Sequence, residues 1–365
     1  MIHLRDISIK QLICLVILTQ VGVKVLTIPY EESRNSGFDS WMSILLGGLI
    51  AQLLIFIVYL LGKRYENRPF PQYIFEIVGK RLGFIVNIVF ALFFIESSLM
   101  VLVSYADFVS RWVLFKTPWL AIIAILVAPA AYIASSSLRS IAVITETCIL
   151  MFAVCVAIIG ISGAGVGEWL HFAPIGAHGI GPILHDAIPS FWAYAGYELL
   201  LYVFPFVKRH NNAEILIGMS IANGVTTLFY LLISIIVLYN FSEPQLDLVT
   251  EPMVFILRQF KWPIVQNLDI IFMTIWLSMV LVTIYVYLFL SSRFLASALG
   301  KKFRNHAMLV WILASVCFVA GVWFSDRRTI TGFAEYHNTY SILIIAGAPS
   351  ILLLVSLARG KAAVR

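Results

Sequence analysis

The chain has 365 residues, of which 61% are hydrophobic and only 12% charged, with a mean hydropathy of +0.95. A water-soluble domain carries about 25% charged residues, so this chain lacks the polar side chains to clothe a water-facing surface, which excludes a cytosolic enzyme, a secreted disulfide scaffold and a nucleic-acid-binding module. The 25 Lys and Arg against 19 Asp and Glu leave a formal +6, and in a lipid-embedded chain the placement of basic residues says more than their sum.

A helix rising about 1.5 Å per residue needs about 20 apolar residues to cross a hydrocarbon core of about 30 Å. Ten stretches qualify: 8–30, 40–62, 84–110, 118–136, 140–162, 186–207, 214–239, 263–290, 307–325 and 339–358. The first is too long for a signal peptide, and Ile28-Pro29-Tyr30-Glu31 at its end is no small-residue cleavage site, so it is expected to stay in the mature protein. Pro118, Glu214 and Pro263 mark helix starts; Gly62, Gly300 and Gly360 lie at or just past helix ends.

Two connections stand out. Residues 69–83 place Ile74, Phe75, Ile77, Val78 and Leu82 on one side of a short helix, which reads as packing at the inner membrane surface rather than as a partner site. Residues 163–185 hold no basic residue and contain His171, His178 and His185, with Glu168 and Asp186 nearby. No short ligand pair occurs among them, so solvated loop histidines are expected, and neither a metal nor a cofactor. Cys14, Cys148, Cys155 and Cys317 all lie in apolar runs and read as small hydrophobes.

With the N-terminus cytoplasmic, 17 Lys and Arg fall on the inner side, among them Arg5, Lys208, Arg209, Lys301, Lys302, Arg304, Lys361 and Arg365. Seven fall outside, including Lys261, and Lys24 sits within a span. The excess of inner basic residues predicts cytoplasmic termini.

The functional signal is a pair of interrupted spans. Span one reads Gly22-Val23-Lys24 with Pro29 beyond; span six reads Ala195-Gly196-Tyr197-Glu198 with Pro205 beyond. Each has a glycine near mid-span, an ionisable residue two positions later and a proline after that. These are the first members of two five-span halves, 1–162 and 186–358, within a single integral-membrane domain 1–365. Interrupted helices at corresponding positions are the best sequence pointer to a transporter site. Hydrocarbon cannot satisfy the backbone groups a break sets free, so a ligand, ion, water or protein group must do so. Half-helix ends offer partial positive charge to a carboxylate and carbonyls to an ammonium, a receptacle suited to an amino acid.

The expected binding residues are Gly22, Val23, Lys24, Ala195, Gly196, Tyr197 and Glu198, with a Lys24–Glu198 ion pair across the adjoining breaks. Glu96 and Glu146 are candidates for a polar pathway, with satisfied structural hydrogen bonds as the competing reading. Asp107 and Asp269 read as interface residues, and Tyr285 and Tyr287 as packing. His3, His171, His178, His185, His210, His306 and His337 all fall in loops or at span edges, and HExxH, GxSxG and phosphate-loop motifs are missing. No catalytic residue is expected.

Several motifs carry a family resemblance. They are Gly22-x-x-x-Leu26-Thr27-Ile28-Pro29, then Pro174-Ile175 with Gly179-Ile180-Gly181-Pro182-Ile183, then Gly196-Tyr197-Glu198 with Phe204-Pro205 ahead of Lys208-Arg209, and Trp276. In this order and spacing they resemble the spore germination permeases, the B subunits of endospore nutrient receptors, within the amino acid/polyamine/organocation transporter superfamily. The resemblance implies an all-α membrane protein of ten helices in a LeuT-like 5+5 inverted repeat with helices 1 and 6 broken. It also implies a spore inner-membrane location, an A-type membrane subunit and a C-type lipoprotein as partners, and a small nutrient, often an amino acid, as ligand. Lys24 departs from the small residue usual in that family. A secondary amino-acid permease coupled to proton or sodium is the competing function, and an ion or water conduit a third.

Overall fold

A computed structural model describes residues 6–165, 167–172, 174–260, 267–300 and 305–360, with the side chains of Leu170 and His171 outside that description. Pro263, His3 and the basic residues Arg5, Lys261, Lys301, Lys302, Arg304, Lys361 and Arg365 therefore lie outside the described residues.

The first helix begins at a capping box. Gln11 N–H donates to Ser8 Oγ at 3.2 Å and Ser8 N–H to Gln11 Oε1 at 3.0 Å. Helix α1 (Ile9–Gln20) runs for only 12 residues, about 18 Å at the helical rise, and cannot cross the membrane alone. After it the chain makes one 3-10 turn, Lys24–Leu26, and turns back into a second, Gly37–Asp39. Helix α2 (Ser40–Arg64) follows, then α3 (Phe70–Val78) and the 33-residue α4 (Lys80–Trp112). Pro118 caps α5 (Trp119–Ala134), which tolerates Pro129 inside it. Ser137 caps α6 (Leu138–Gly163) by accepting from Ser140 N–H.

The sixth span is interrupted like the first. Helix α7 (Ile180–Trp192) stops, and the chain resumes as a 3-10 turn, Tyr197–Leu199, the short α8 (Leu200–Val203) and a last 3-10 turn, Phe204–Phe206. Helix α9 (Ala213–Asn240) is continuous. Two short helices, α10 (Glu243–Leu246) and α11 (Pro252–Gln259), form the next connection. Then come α12 (Leu268–Leu299) and α13 (His306–Trp323). The last span joins α14 (Arg327–Ile342) to α15 (Ala348–Ala358) through a π turn at Leu343–Gly347, the common kind of bulge inside a helix.

Among the described residues, the ten apolar stretches thus become seven helices long and apolar enough to cross a membrane and three shorter apolar segments, Ile9–Gln20, Trp119–Ala134 and Tyr197–Phe206. The last span differs most from expectation. Its helix begins at Arg327 rather than near 339, because the polar turns 327–338 lack the hydropathy that marks a span and are held by packing on α4. The sixth starts at Ile180, which shortens the expected 163–185 loop.

Helix α12 forms the centre. The most apolar window of α12 is 61% buried, against 50% or less in the other spans, and it packs on α1, α4, α5, α6 and α13. Lipid takes the opposite role for residues such as Leu228 and Val319, which stay exposed and face no protein. Helix α3 corrects a second expectation. Ile74 and Ile77 are completely buried, and the helix packs on α4, α12 and α15, so its apolar side faces the bundle; Leu82 belongs to α4 and is exposed.

The two interrupted spans are tied at one end by a short parallel bridge. Ile7 N–H donates to Phe206 O at 2.9 Å and Lys208 N–H to Ile7 O at 2.8 Å. Higher up, α2 presses against α7, and a Cβ on Gly47 would lie 2.9 Å from the backbone nitrogen of Phe191. The sixth span is therefore held at both flanks, and the first is tied to it at one end.

Candidate functional site

The breaks lie against each other. Gly196 has φ +132°, and a Cβ there would lie 3.0 Å from Gln20 N and 3.1 Å from Thr19 C. Only a residue without a side chain lets the helix-6 break approach the last turn of α1 so closely.

Protein side chains satisfy much of the backbone the breaks set free. Tyr230 OH on α9 shares its proton between Gln20 O at 2.9 Å and Ala193 O at 3.0 Å, one carbonyl from each break. Gln20 Nε2 donates to Tyr194 O at 3.0 Å, and Thr226 Oγ1 donates to Gln20 Oε1 at 2.8 Å. From α12, Trp276 Nε1 donates to Gly22 O at 3.1 Å, and Thr283 Oγ1 reaches Leu18 O and Thr19 O at 3.3 Å each. On the second break, Gly196 N–H donates to Glu198 Oε2 at 2.7 Å, and Tyr287 OH donates to Glu198 Oε1 at 2.9 Å. Three donors stand apart: among the described residues, no acceptor is paired with the N–H groups of Val23, Lys24 and Val25.

The expected Lys24–Glu198 pair does not form. Lys24 Nζ pairs instead with Glu31 and lies 3.6 Å from Glu32 Oε1. The chain turns back directly after the 3-10 turn, which brings two carboxylates to the ammonium within eight residues. Both Glu198 oxygens are already taken, by Gly196 and Tyr287. Tyr287, expected as packing, is thus a partner of the buried carboxylate.

A small cavity of about 60 Å³ opens between the breaks, enough for a few waters. Thr19, Gln20, Gly22, Val23, Lys24 and Ala195 line it from the broken spans, with Trp192 and Ala193 beside them. The other walls are Phe93, Ser97, Met100 and Val101 of α4, Thr283 and Tyr287 of α12, and His337, Asn338 and Ser341 of α14. A larger cavity of about 390 Å³ adjoins it and shares Val23, Lys24, Met100 and Asn338. Its rim is charged. Arg111 bridges Asp107 at 2.9 Å and Glu251 at 2.7 Å, and Arg327 reaches the same Glu251 oxygen at 3.2 Å.

The expected residues divide accordingly. Gly22, Val23, Lys24 and Ala195 face the small cavity, and Gly196 forms the crossing behind it. Tyr197 and Glu198 are buried outside the lining; Tyr197 OH donates to Ile345 O at 3.0 Å. Glu96 lies 3.8 Å from His337 Nδ1, beside the cavity. Glu146 pairs with Lys10 at 2.9 Å and accepts from Gln11 Nε2 at 3.1 Å, beside the start of α1 and away from both cavities. Asp269 is buried at the start of α12.

His337 corrects the placement of histidines. It lies inside α14 and is buried, its ring parallel to Phe93 at 5.6 Å, with Ser97 Oγ 3.3 Å from Nε2 and Tyr340 OH 3.1 Å from Nδ1. His178 and His185 sit beside Glu243 and Asp186 at 3.2 and 3.3 Å. The sequence carried one usable sign of the fourth wall: His337 and Ser341 are four residues apart and share a helix face.

The profile of a family described as "Spore germination protein" matches residues 6–330. The chain belongs to the spore germination protein family. Spore germination protein YndE of Bacillus subtilis (strain 168) is 24% identical over 353 residues, 96% of each chain. Spore germination protein GerQB of Bacillus cereus is 23% identical over 347 residues, 95% of this chain and 94% of the relative. Two solved structures share the fold. MhsT in complex with L-phenylalanine superposes with a TM-score of 0.65 at 12% identity, covering 96% of this chain and 89% of its own. A manganese transporter of Eremococcus coleocola gives 0.58 at 14% identity, over 96% and 76%. This spore germination protein is therefore an all-α, multi-pass membrane protein of the LeuT type with helices 1 and 6 broken. Its cavity walls from α14 lie beyond the stretch the family profile matches.

Proposed function

We propose that the chain is the nutrient-binding integral-membrane subunit of a spore germinant receptor. It takes a small nutrient, an amino acid, at the helix 1 and helix 6 breaks. The observation that carries this reading is the run of three N–H groups, Val23, Lys24 and Val25, without a protein acceptor among the described residues. Val23 and Lys24 both line the small cavity. Amides left unpaired at the start of a helical turn attract anions, and a carboxylate is the anion a nutrient amino acid brings. MhsT, which shares the fold, is described in complex with L-phenylalanine.

The cavity of about 60 Å³ adjoins the larger one through Val23, Lys24, Met100 and Asn338, and a nutrient seated at the breaks favours the state whose walls fit it. A ligand shifts such an equilibrium only through its differential affinity for the two states. The movement is what partners read: an A-type membrane subunit and a C-type lipoprotein, in the spore inner membrane. Cytoplasmic termini follow from the basic loops, and the two five-helix halves, 1–162 and 186–358, follow from the paired breaks.

The test is equilibrium binding to the purified protein in lipid nanodiscs, screening amino acids, nucleosides and sugars. The expected ligand is an amino acid whose carboxamide derivative binds about tenfold to a hundredfold more weakly, because charge-assisted hydrogen bonds to its carboxylate are lost. Equal affinity for acid and amide would contradict the reading. The fold shared with transporters favours a second reading, a secondary amino-acid permease. Net uptake of the bound amino acid into vesicles by this chain alone would select it.

A further inference from the structure

Among the described residues, Glu32 is the least explained charge. It is fully buried, and neither carboxylate oxygen has a hydrogen-bond partner among the described residues. Its only ion-pair neighbour among them is Lys24 Nζ, 3.6 Å away, which is in contact with Glu31 as well. One ammonium therefore faces two carboxylates; Glu31 is in reach of solvent and lines the larger cavity with Arg34, so the charge held out of water without a counter-ion of its own is that of Glu32. An uncompensated buried charge is too costly to persist, and a carboxyl so placed takes a proton instead.

Neighbouring side chains among the described residues do not supply the missing hydrogen bonds. Tyr194 of the helix-6 break and Tyr230 of α9 are the fully buried tyrosines where the two broken spans meet. Their hydroxyls are already committed, Tyr194 OH to Ile44 O at 3.1 Å and Tyr230 OH to the two break carbonyls. An alkali or divalent cation needs a shell of several oxygens, and among the described residues no group of three acidic, histidine or cysteine side chains gathers here. A route for protons does exist. Glu31, 38% exposed, lines the 390 Å³ cavity together with Lys24, while Glu32, at 0%, sits behind them.

We propose that Glu32 is a proton-binding site that completes the charge balance of the Lys24–Glu31–Glu32 cluster at the helix-1 break, filled from the charged cavity by way of Glu31. Its link to nutrient rests on the reading in the preceding subsection. A carboxylate docked on the amides of Val23–Val25 adds negative charge beside the same cluster, so protonated Glu32 favours nutrient and nutrient favours protonated Glu32, reciprocally.

Infrared difference spectroscopy on the protein in nanodiscs, without nutrient, tests the site itself. Stepping from about pH 8 to about pH 5, the range into which burial moves a carboxyl, should bring up the C=O stretch of a protonated carboxyl. The band should lose one carboxyl's intensity in Glu32→Gln, an isostere of the protonated acid, and keep it in Glu76→Gln on α3, whose carboxylate pairs with Arg68. In Lys24→Met, with the cation gone, it should appear about one pH unit higher or more. No band in the wild type, an undiminished band in Glu32→Gln, an unmoved band in Lys24→Met, or a band set by sodium rather than by pH would each overturn the proposal. Nutrient added in weak buffer should then draw protons from solution in the wild type and not in Glu32→Gln. Binding without proton uptake would overturn the linkage, and failure of nutrient to bind would count against the nutrient reading while leaving the infrared result standing.

Discussion

Gly196→Leu should abolish nutrient binding and destabilise the protein by about 3–5 kcal/mol, the largest single effect expected outside the buried charges. Two costs combine. The residue holds φ +132°, a conformation side-chain-bearing residues rarely adopt. Its Cβ would also lie 3.0–3.1 Å from the backbone of Thr19 and Gln20, where the neighbour is main chain and cannot rotate away. The breaks would be pushed apart at the point where they cross. Thermal unfolding in detergent and ligand titration check the two parts separately. Gly224→Leu on α9, where a Cβ would meet no atom within 4 Å, should leave both nearly unchanged.

Tyr230→Phe is the second large effect. The hydroxyl serves a carbonyl from each break, Gln20 O and Ala193 O, in a fully buried position. Removing it leaves Ala193 O without its donor, at about 1–3 kcal/mol for a buried group left unsatisfied, and Gln20 O with the Gly22 N–H alone at 2.9 Å, while the ring that packs against Tyr194 at 5.5 Å remains. Stability should fall by about 1–3 kcal/mol and nutrient affinity with it, since Gln20 lines the cavity. Because Gly196 and Tyr230 act on one crossing, the loss in the double variant should fall short of the sum of the two. Strict additivity would mean that the breaks do not behave as one unit.

The difference between what the residues announced and what the fold required is physical. Hydropathy runs announce lipid-spanning helices because lipid is a uniform solvent, and most of the ten stretches became helices close to their expected bounds. The interruptions were legible too, since Gly22 with Pro29 and Gly196 with Pro205 break the helical ladder locally. Partners across the breaks were not. Lys24 meets Glu31 and Glu32 only because the chain reverses after the 3-10 turn Lys24–Leu26, and no periodicity runs through such a turn. Tyr287 finds Glu198 through the rotation of α12 about its axis, which a helix buried on nearly every side does not declare. His337 was hidden differently. The start of its helix, Arg327–Asn338, is polar, so hydropathy placed the span too late and left a cavity wall outside it.

The central claim is that the two interrupted spans hold the nutrient between them. A structure of the protein at saturating concentration of an amino acid it binds tests this most directly. The ligand should lie between the breaks, its carboxylate within hydrogen-bond distance of the Val23, Lys24 and Val25 amides, in a cavity wider than about 60 Å³. A ligand seated elsewhere with those three amides still unpaired would contradict it.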